Sequence, residues 1–133
     1  MATDSFRIKH STLIEHYQFI EAHLESIYSD ISGKSYLDGL KDVEKASLSA
    51  IVRAIQKLEK EKDLSIFTEE EYADLFRIFQ RRNYWCHNCF YDLTFDSKTD
   101  KLKRPEDVWR MANDLHEAEA WREKLFDKQD KCL

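Results

Sequence analysis

The sequence predicts an all-α fold, a four- to five-helix bundle formed by residues 1–133 as one domain, and three observations lead to it. Only two glycines and one proline occur in 133 residues, too few for the tight turns that an all-β chain of this size needs. An apolar fraction of 42%, with 13% aromatic residues, argues against disorder, and the chain is long enough to enclose a core. Apolar residues also recur at spacings of three and four along separate segments, the period of helices with one buried face.

In the first segment Leu13, Tyr17, Ile20, Leu24, Ile27 and Ile31 form one stripe. The helix is expected over about 5–31, with Gly33 as its stop, because glycine enters the left-handed conformation without a Cβ clash. His10, His16 and His23 lie along it. His16 and His23 are seven apart and share a face, and exposed positions are expected for them. A linker from Gly33 to Lys41 leads to a second helix, about 42–61, with Val43, Leu48, Ile51, Ile55 and Leu58 as its apolar face. Lys57, Glu59, Lys60, Glu61 and Lys62 at its end are expected to form a solvated last turn.

Thr68 followed by Glu71 is the signature of a capping box, and it opens a third helix, about 69–92. Tyr72, Leu75, Phe76, Phe79, Asn83, Cys86 and Phe90 fall along one side. Thr94 to Arg104 reads as a loop. There Lys98, Lys101, Lys103 and Arg104 outnumber Asp96 and Asp100, so the loop is locally basic. Pro105 suits the first position of the last helix, about 105–128, with Val108, Met111, Leu115, Ala118, Arg122 and Leu125 in helical spacing. Four amphipathic helices with short links make a bundle.

The chain carries 26 acidic and 21 basic residues, a net charge of -5. That balance favours solubility and argues against general binding to polyanions, so any nucleic-acid contact has to be local. No apolar run approaches the length of a membrane span, and Met1 to His10 lacks the apolar stretch of a signal peptide. A cytoplasmic location is therefore expected. Three cysteines, an odd number, argue against a disulfide framework. Cys86 and Cys89 form a CxxC without a second ligand pair of similar spacing. Packing inside a helix is favoured there over metal or redox chemistry, and no cofactor is expected.

The chemically distinctive segment is Arg81-Arg82-Asn83-Tyr84-Trp85-Cys86-His87-Asn88. Two arginines, two asparagines and a histidine are concentrated in an otherwise apolar helix. On a regular helix Asn83 and His87 stack on one face, being four residues apart. Histidine titrates near neutral pH and serves as general acid or base. A guanidinium is a fixed fork of donors suited to phosphate oxygens and to charge developing on a pentacoordinate phosphorus. Together these groups are a kit for splitting a phosphodiester without a metal. One chain supplies a single such histidine, and a dimer axis would supply a second.

Arg82-Asn83-x-x-x-His87 resembles the R-N-x-x-x-H form of the Arg-x(4–6)-His motif of HEPN domains, small all-helical domains of prokaryotes and higher eukaryotes. The setting is similar too, with the motif late in a long helix that precedes a last helix. The resemblance implies a homodimer with paired motifs in a cleft and metal-independent cleavage of RNA, often in toxin–antitoxin, abortive-infection or CRISPR-associated defence. It implies Arg82 and His87 as the catalytic pair and Asn83 as an orienting residue. Arg81, Lys98, Lys101, Lys103 and Arg104 would contact RNA, and an antitoxin or other protein is a possible partner. In one toxin subgroup the motif continues as His-x-Tyr and the tyrosine is modified by a nucleotidyltransferase. Cys89 stands at that position here, so such regulation is not expected. The alternative function is a non-catalytic helical module that binds a protein or a nucleotide, with Tyr84, Trp85 and Trp109 as contacts, although core packing is the commoner fate of such aromatics.

Overall fold

A computed structural model of the protein describes residues 5–96 and 98–132, with the backbone alone for Tyr91, Phe95 and Cys132. Helix α1 runs over Phe6–Ile31, α2 over Tyr36–Val43, α3 over Leu48–Lys62 and α4 over Glu69–Asn83. A π-helical turn, Tyr84–Asn88, joins α4 to the short α5, Cys89–Asp92, and α6 spans Pro105–Cys132. If α4, the π turn and α5 are taken as one rod, the described residues form five helical rods.

Side-chain contacts give the directions of the rods. Arg122 meets His16 and Gln129 meets His23, so α1 and α6 run parallel. Arg82 meets Glu21, whereas the Trp85 carbonyl meets His10, so α4 runs antiparallel to α1. The buried side chains form a single cluster between the rods, with Leu13, Ile20, Ile55, Leu75, Trp85 and Leu125 at its centre.

Each start of α1 to α4 has a chemical cause. The side chains of Ser5, Ser35, Ser47 and Thr68 each accept a hydrogen bond from a first-turn backbone N–H, a donor the helix itself leaves unpaired. Thr68 and Glu71 form the expected capping box, at 2.9 and 3.1 Å. Gly33 takes φ 81° beyond the end of α1, and Pro105 is the first residue of α6.

Four expectations are corrected. The linker Gly33–Lys41 contains most of α2, and the second expected helix begins only at Leu48. Ser35 and Ser47 are both caps, and the sequence between them folds as a separate helical turn pair. Gly39 lets α2 cross α1 closely, since a Cβ there would come 2.5 Å from Ser29 Oγ and 2.8 Å from Ser29 Cα. Ser29 is buried and donates to the Tyr36 carbonyl at 2.5 Å.

The charged end of α3 is not simply a solvated turn. Glu59 is 6% exposed and accepts hydrogen bonds from the backbone N–H groups of Ile66 and Phe67 and from the Tyr72 hydroxyl. Lys62 donates to the Ile31 carbonyl at 2.7 Å, closing the C-terminus of α1. The three histidines of α1 are half-buried rather than exposed. His10 bonds the Trp85 carbonyl, His16 bonds Arg122 and His23 bonds Gln129.

The loop before α6 holds a minimal antiparallel ladder, with Phe95 opposite Leu102 and Asp96 opposite Lys101. It docks on the start of α1. The Phe6 N–H donates to the Asp100 carbonyl at 2.7 Å, and the Asp100 carboxylate accepts from Ser5 and from the Arg7 backbone. No described helix is long and apolar enough to cross a membrane.

Candidate functional site

The inward stripe of α4 runs Leu75, Ile78, Trp85 and Cys89, all buried. Spacings of three, seven and four leave one vacant stripe position, and Arg82 occupies it. This corrects the expected stripe beyond Phe79. Asn83 is exposed, Cys86 is half-buried and Phe90 is 50% exposed. Trp85 takes the core position because its indole finds a partner there, donating from Nε1 to Asp114 Oδ2 at 2.7 Å. A buried indole N–H requires such an acceptor.

At the motif the helix widens by one residue, and the Cys89 N–H bonds the Tyr84 carbonyl rather than a carbonyl four residues back. π turns of this kind recur at functional sites. The turn is tied on several sides. His10 Nε2 lies 2.7 Å from the Trp85 carbonyl, and because a carbonyl only accepts, Nε2 carries the proton. Cys89 Sγ donates to the same carbonyl at 3.2 Å. The Tyr84 hydroxyl donates to Asp92 at 2.7 Å, and the Arg110 guanidinium stacks 4.9 Å above the Tyr84 ring.

His87 itself is exposed and makes no side-chain hydrogen bond to any described residue. Arg82 is half-buried, with Nη2 3.7 Å from Glu21 Oε2. Arg82 and Asn83 share a cleft of about 340 Å³ with Glu21, Ser47, Ser49 and Phe76. His87 is not part of that lining. The structure thus brings two of the three expected catalytic residues together and leaves the third one turn away on the surface. The expected stacking of Asn83 and His87 assumed a regular helix, whereas the π turn begins directly after Asn83 and contains His87.

Of the expected RNA contacts, Lys98, Lys101 and Lys103 are exposed on the small hairpin. Arg104 is committed instead to the first turn of α6. Its guanidinium bonds both oxygens of the fully buried Asp107, at 2.8 and 3.1 Å, and lies 3.5 Å from Glu106. Arg81 is exposed and 3.8 Å from Asp114. Cys86 and Cys89 are free thiols. Burial pushes the pKa of both above the ordinary cysteine value, which disfavours the reactive thiolate.

Sequence reasoning passed over Glu21 and Asp114 and did not connect His10 with this segment, although all three touch it. Asp114 was the most legible. The buried line of α6 is Asp107, Met111, Asp114, Ala118, Trp121 and Leu125, in regular four-three steps. A stripe chosen by apolar character drifts off that line to Val108, which is 43% exposed, and to the half-buried Leu115 and Arg122. Burial raises the Asp114 pKa, while the Trp85 indole and Arg81 oppose the shift. The Tyr17 pKa is also raised, by burial and then by Asp114.

Fold and site together define a class, a helical bundle with an Arg-Asn cleft and an exposed histidine on a π-modified helix. No family model matches the chain, and no curated protein or solved structure matches it either.

Proposed function

We propose that the protein is a HEPN-like, metal-independent endoribonuclease that acts as a homodimer, in the toxin–antitoxin or phage-defence setting common to such domains. The observation that carries this reading is the state of His87, an exposed imidazole with no side-chain hydrogen bond to any described residue, on a turn tied to α1 through the Trp85 carbonyl and to α6 through the Trp85 indole. The three histidines of α1, in contrast, are each bonded to another rod.

In this reading His87 takes the proton of a ribose 2′-hydroxyl, and the 2′-oxygen attacks the adjacent phosphorus. The bond to the 5′-oxygen breaks, and that oxygen takes a proton from the second copy's imidazolium. The products are a 2′,3′-cyclic phosphate and a 5′-hydroxyl. Arg82 exchanges its 3.7 Å contact with Glu21 for the phosphorane, where a guanidinium offers two parallel donors. Asn83, in the same cleft, orients the scissile phosphate. Lys98, Lys101, Lys103 and Arg81 attract the RNA backbone, with Arg104 held back by Asp107.

The test is incubation of the purified protein with mixed RNAs in the presence of a chelator, with analysis of the product ends. Cyclic phosphate and 5′-hydroxyl ends that vanish with His87→Ala support the proposal, and intact RNA overturns it. A non-catalytic binding module is the second reading. It is favoured by Trp109, 70% exposed at the start of α6 beside the exposed Val108, and it gains if RNA or protein is retained uncleaved.

A further inference from the structure

The π turn persists only if something holds it, because the widened register sacrifices the regular hydrogen bonding of the helix. One candidate tie comes from far away in sequence. The His10 ring, on the first turns of α1, donates to the Trp85 carbonyl at 2.7 Å. The ring cannot swing freely, since it packs against Phe6 and Phe90 with centroids 5.6 and 5.2 Å away, and edge-on to Trp85 at 6.4 Å. His87 follows Trp85 by two residues, so the direction in which it leaves the helix depends on the register fixed here.

We propose that His10 is the positioning residue of the motif: its hydrogen bond to the Trp85 carbonyl holds the π register and thereby aims His87. The catalytic consequence rests on the nuclease reading, whereas the effect on register does not. Without the bond, regular i to i-4 bonding competes with the widened turn. Losing the extra residue would rotate the chain beyond it by roughly 100°, carrying Cys89 and Leu93 off the core. Those two residues are buried and resist the change, so removal of His10 should give exchange between registers rather than a clean switch. The hydrogen bond requires a donor at the position of Nε2. A phenylalanine keeps the ring and loses the donor, and a glutamine keeps a donor on a chain of similar reach.

The experiment compares wild type, His10→Phe and His10→Gln as full chains by NMR. The readouts are amide exchange at Cys89, which reports the bond to the Tyr84 carbonyl, and the ring resonances of His87. Exchange at Ile55 in α3 reports global stability. The expected result for His10→Phe is Cys89 exchange at least tenfold faster relative to Ile55, with displaced or broadened His87 signals, and with both effects substantially reversed in His10→Gln. Equal acceleration at Cys89 and Ile55, unchanged His87 signals, or no recovery in His10→Gln would each overturn the proposal. If His10→Phe does not fold, His10→Gln decides alone: retained Cys89 protection supports it and lost protection overturns it. Where wild type cleaves RNA, His10→Phe should lower kcat with little change in KM, since misplacement of about 1 Å can cost on the order of a hundredfold. An inactive wild type would remove the nuclease reading while the NMR comparison still decides the role of His10.

Discussion

Glu59 and His87 show how differently two polar side chains can be used in one bundle. The Glu59 carboxylate is enclosed and receives three hydrogen bonds from the link and first turn beyond α3. Glu59→Ala strands those donors. Each buried unsatisfied group costs roughly 1–3 kcal/mol, so a loss of about 3 kcal/mol or more is expected as a lower urea midpoint, with Glu59→Gln milder because it keeps one acceptor oxygen. A variant as stable as wild type would contradict this account of the link. His87 is expected to behave in the opposite way. His87→Ala should leave the urea midpoint nearly unchanged; on the proposed nuclease reading, RNA cleavage falls roughly a hundred- to ten-thousand-fold, the range for loss of a general acid or base. Arg82→Ala should also abolish most cleavage, Arg82→Lys should recover little of it, and Asn83→Ala should be the mildest. Equal losses of stability and activity across the set would assign these residues to the fold. Glu59 was partly legible in the sequence, standing four residues after the buried Ile55 on the same face, but its charged neighbours concealed it. The exposure of His87 was not legible, because it depends on a helix register that no local pattern announces.

At the scale of elements, the caps before α4 and α6 were readable, the serine caps Ser35 and Ser47 were passed over, and tertiary ties were not legible. Thr68 with Glu71 and Pro105 marked their helix starts correctly, since those signals act over one turn. The α2 helix was missed because its close packing depends on Gly39 meeting Ser29 across two helices, and no property of Gly39 alone reveals that. The hairpin has a further consequence for stability. The Ser5 hydroxyl, the Arg7 backbone N–H and the Arg7 guanidinium hold the Asp100 carboxyl below the usual aspartate range. A depressed carboxyl stabilises the fold above its unfolded pKa, near 4, and the gain is lost as pH falls through the folded value. Asp114 has the opposite sign, because its raised pKa makes the folded chain hold the proton longer. Its burden is absent at low pH and grows as pH rises above about 4. Urea midpoints measured between pH 3 and 7 should therefore lose part of their acid-side decline in Asp100→Asn. In Asp114→Asn, which keeps an acceptor for the Trp85 indole, stability should fall less as pH rises above 4. Unchanged profiles in both variants would refute these assignments.

At the scale of the whole molecule, a single chain presents one His87 and separates it from the cleft of Arg82 and Asn83. A twofold axis repeats every surface group, so a contact made near the rod of α4, the π turn and α5 would set two copies of His87 and two of Arg82 around one shared space. The half-exposed Phe90 beside the motif offers apolar area for such a contact, and the net charge of -5 weakens association modestly, more so at low salt. A dimer is therefore expected at micromolar concentration, with dissociation favoured at low ionic strength. If the dimer is the active species, cleavage per chain should fall on dilution in step with the dimer fraction measured by sedimentation. Mixing inactive Arg82→Ala and His87→Ala proteins adds a further discrimination. A site that needs only Arg82 from one copy and His87 from the other is rebuilt once in each mixed dimer, so some activity returns, whereas a step that needs both copies of His87 lacks one imidazole there and is not restored. A site held within one chain is not rebuilt, and the mixture stays inactive. A protein that sediments only as a monomer at tens of micromolar, and that cleaves in proportion to its concentration, would remove the paired-motif mechanism altogether.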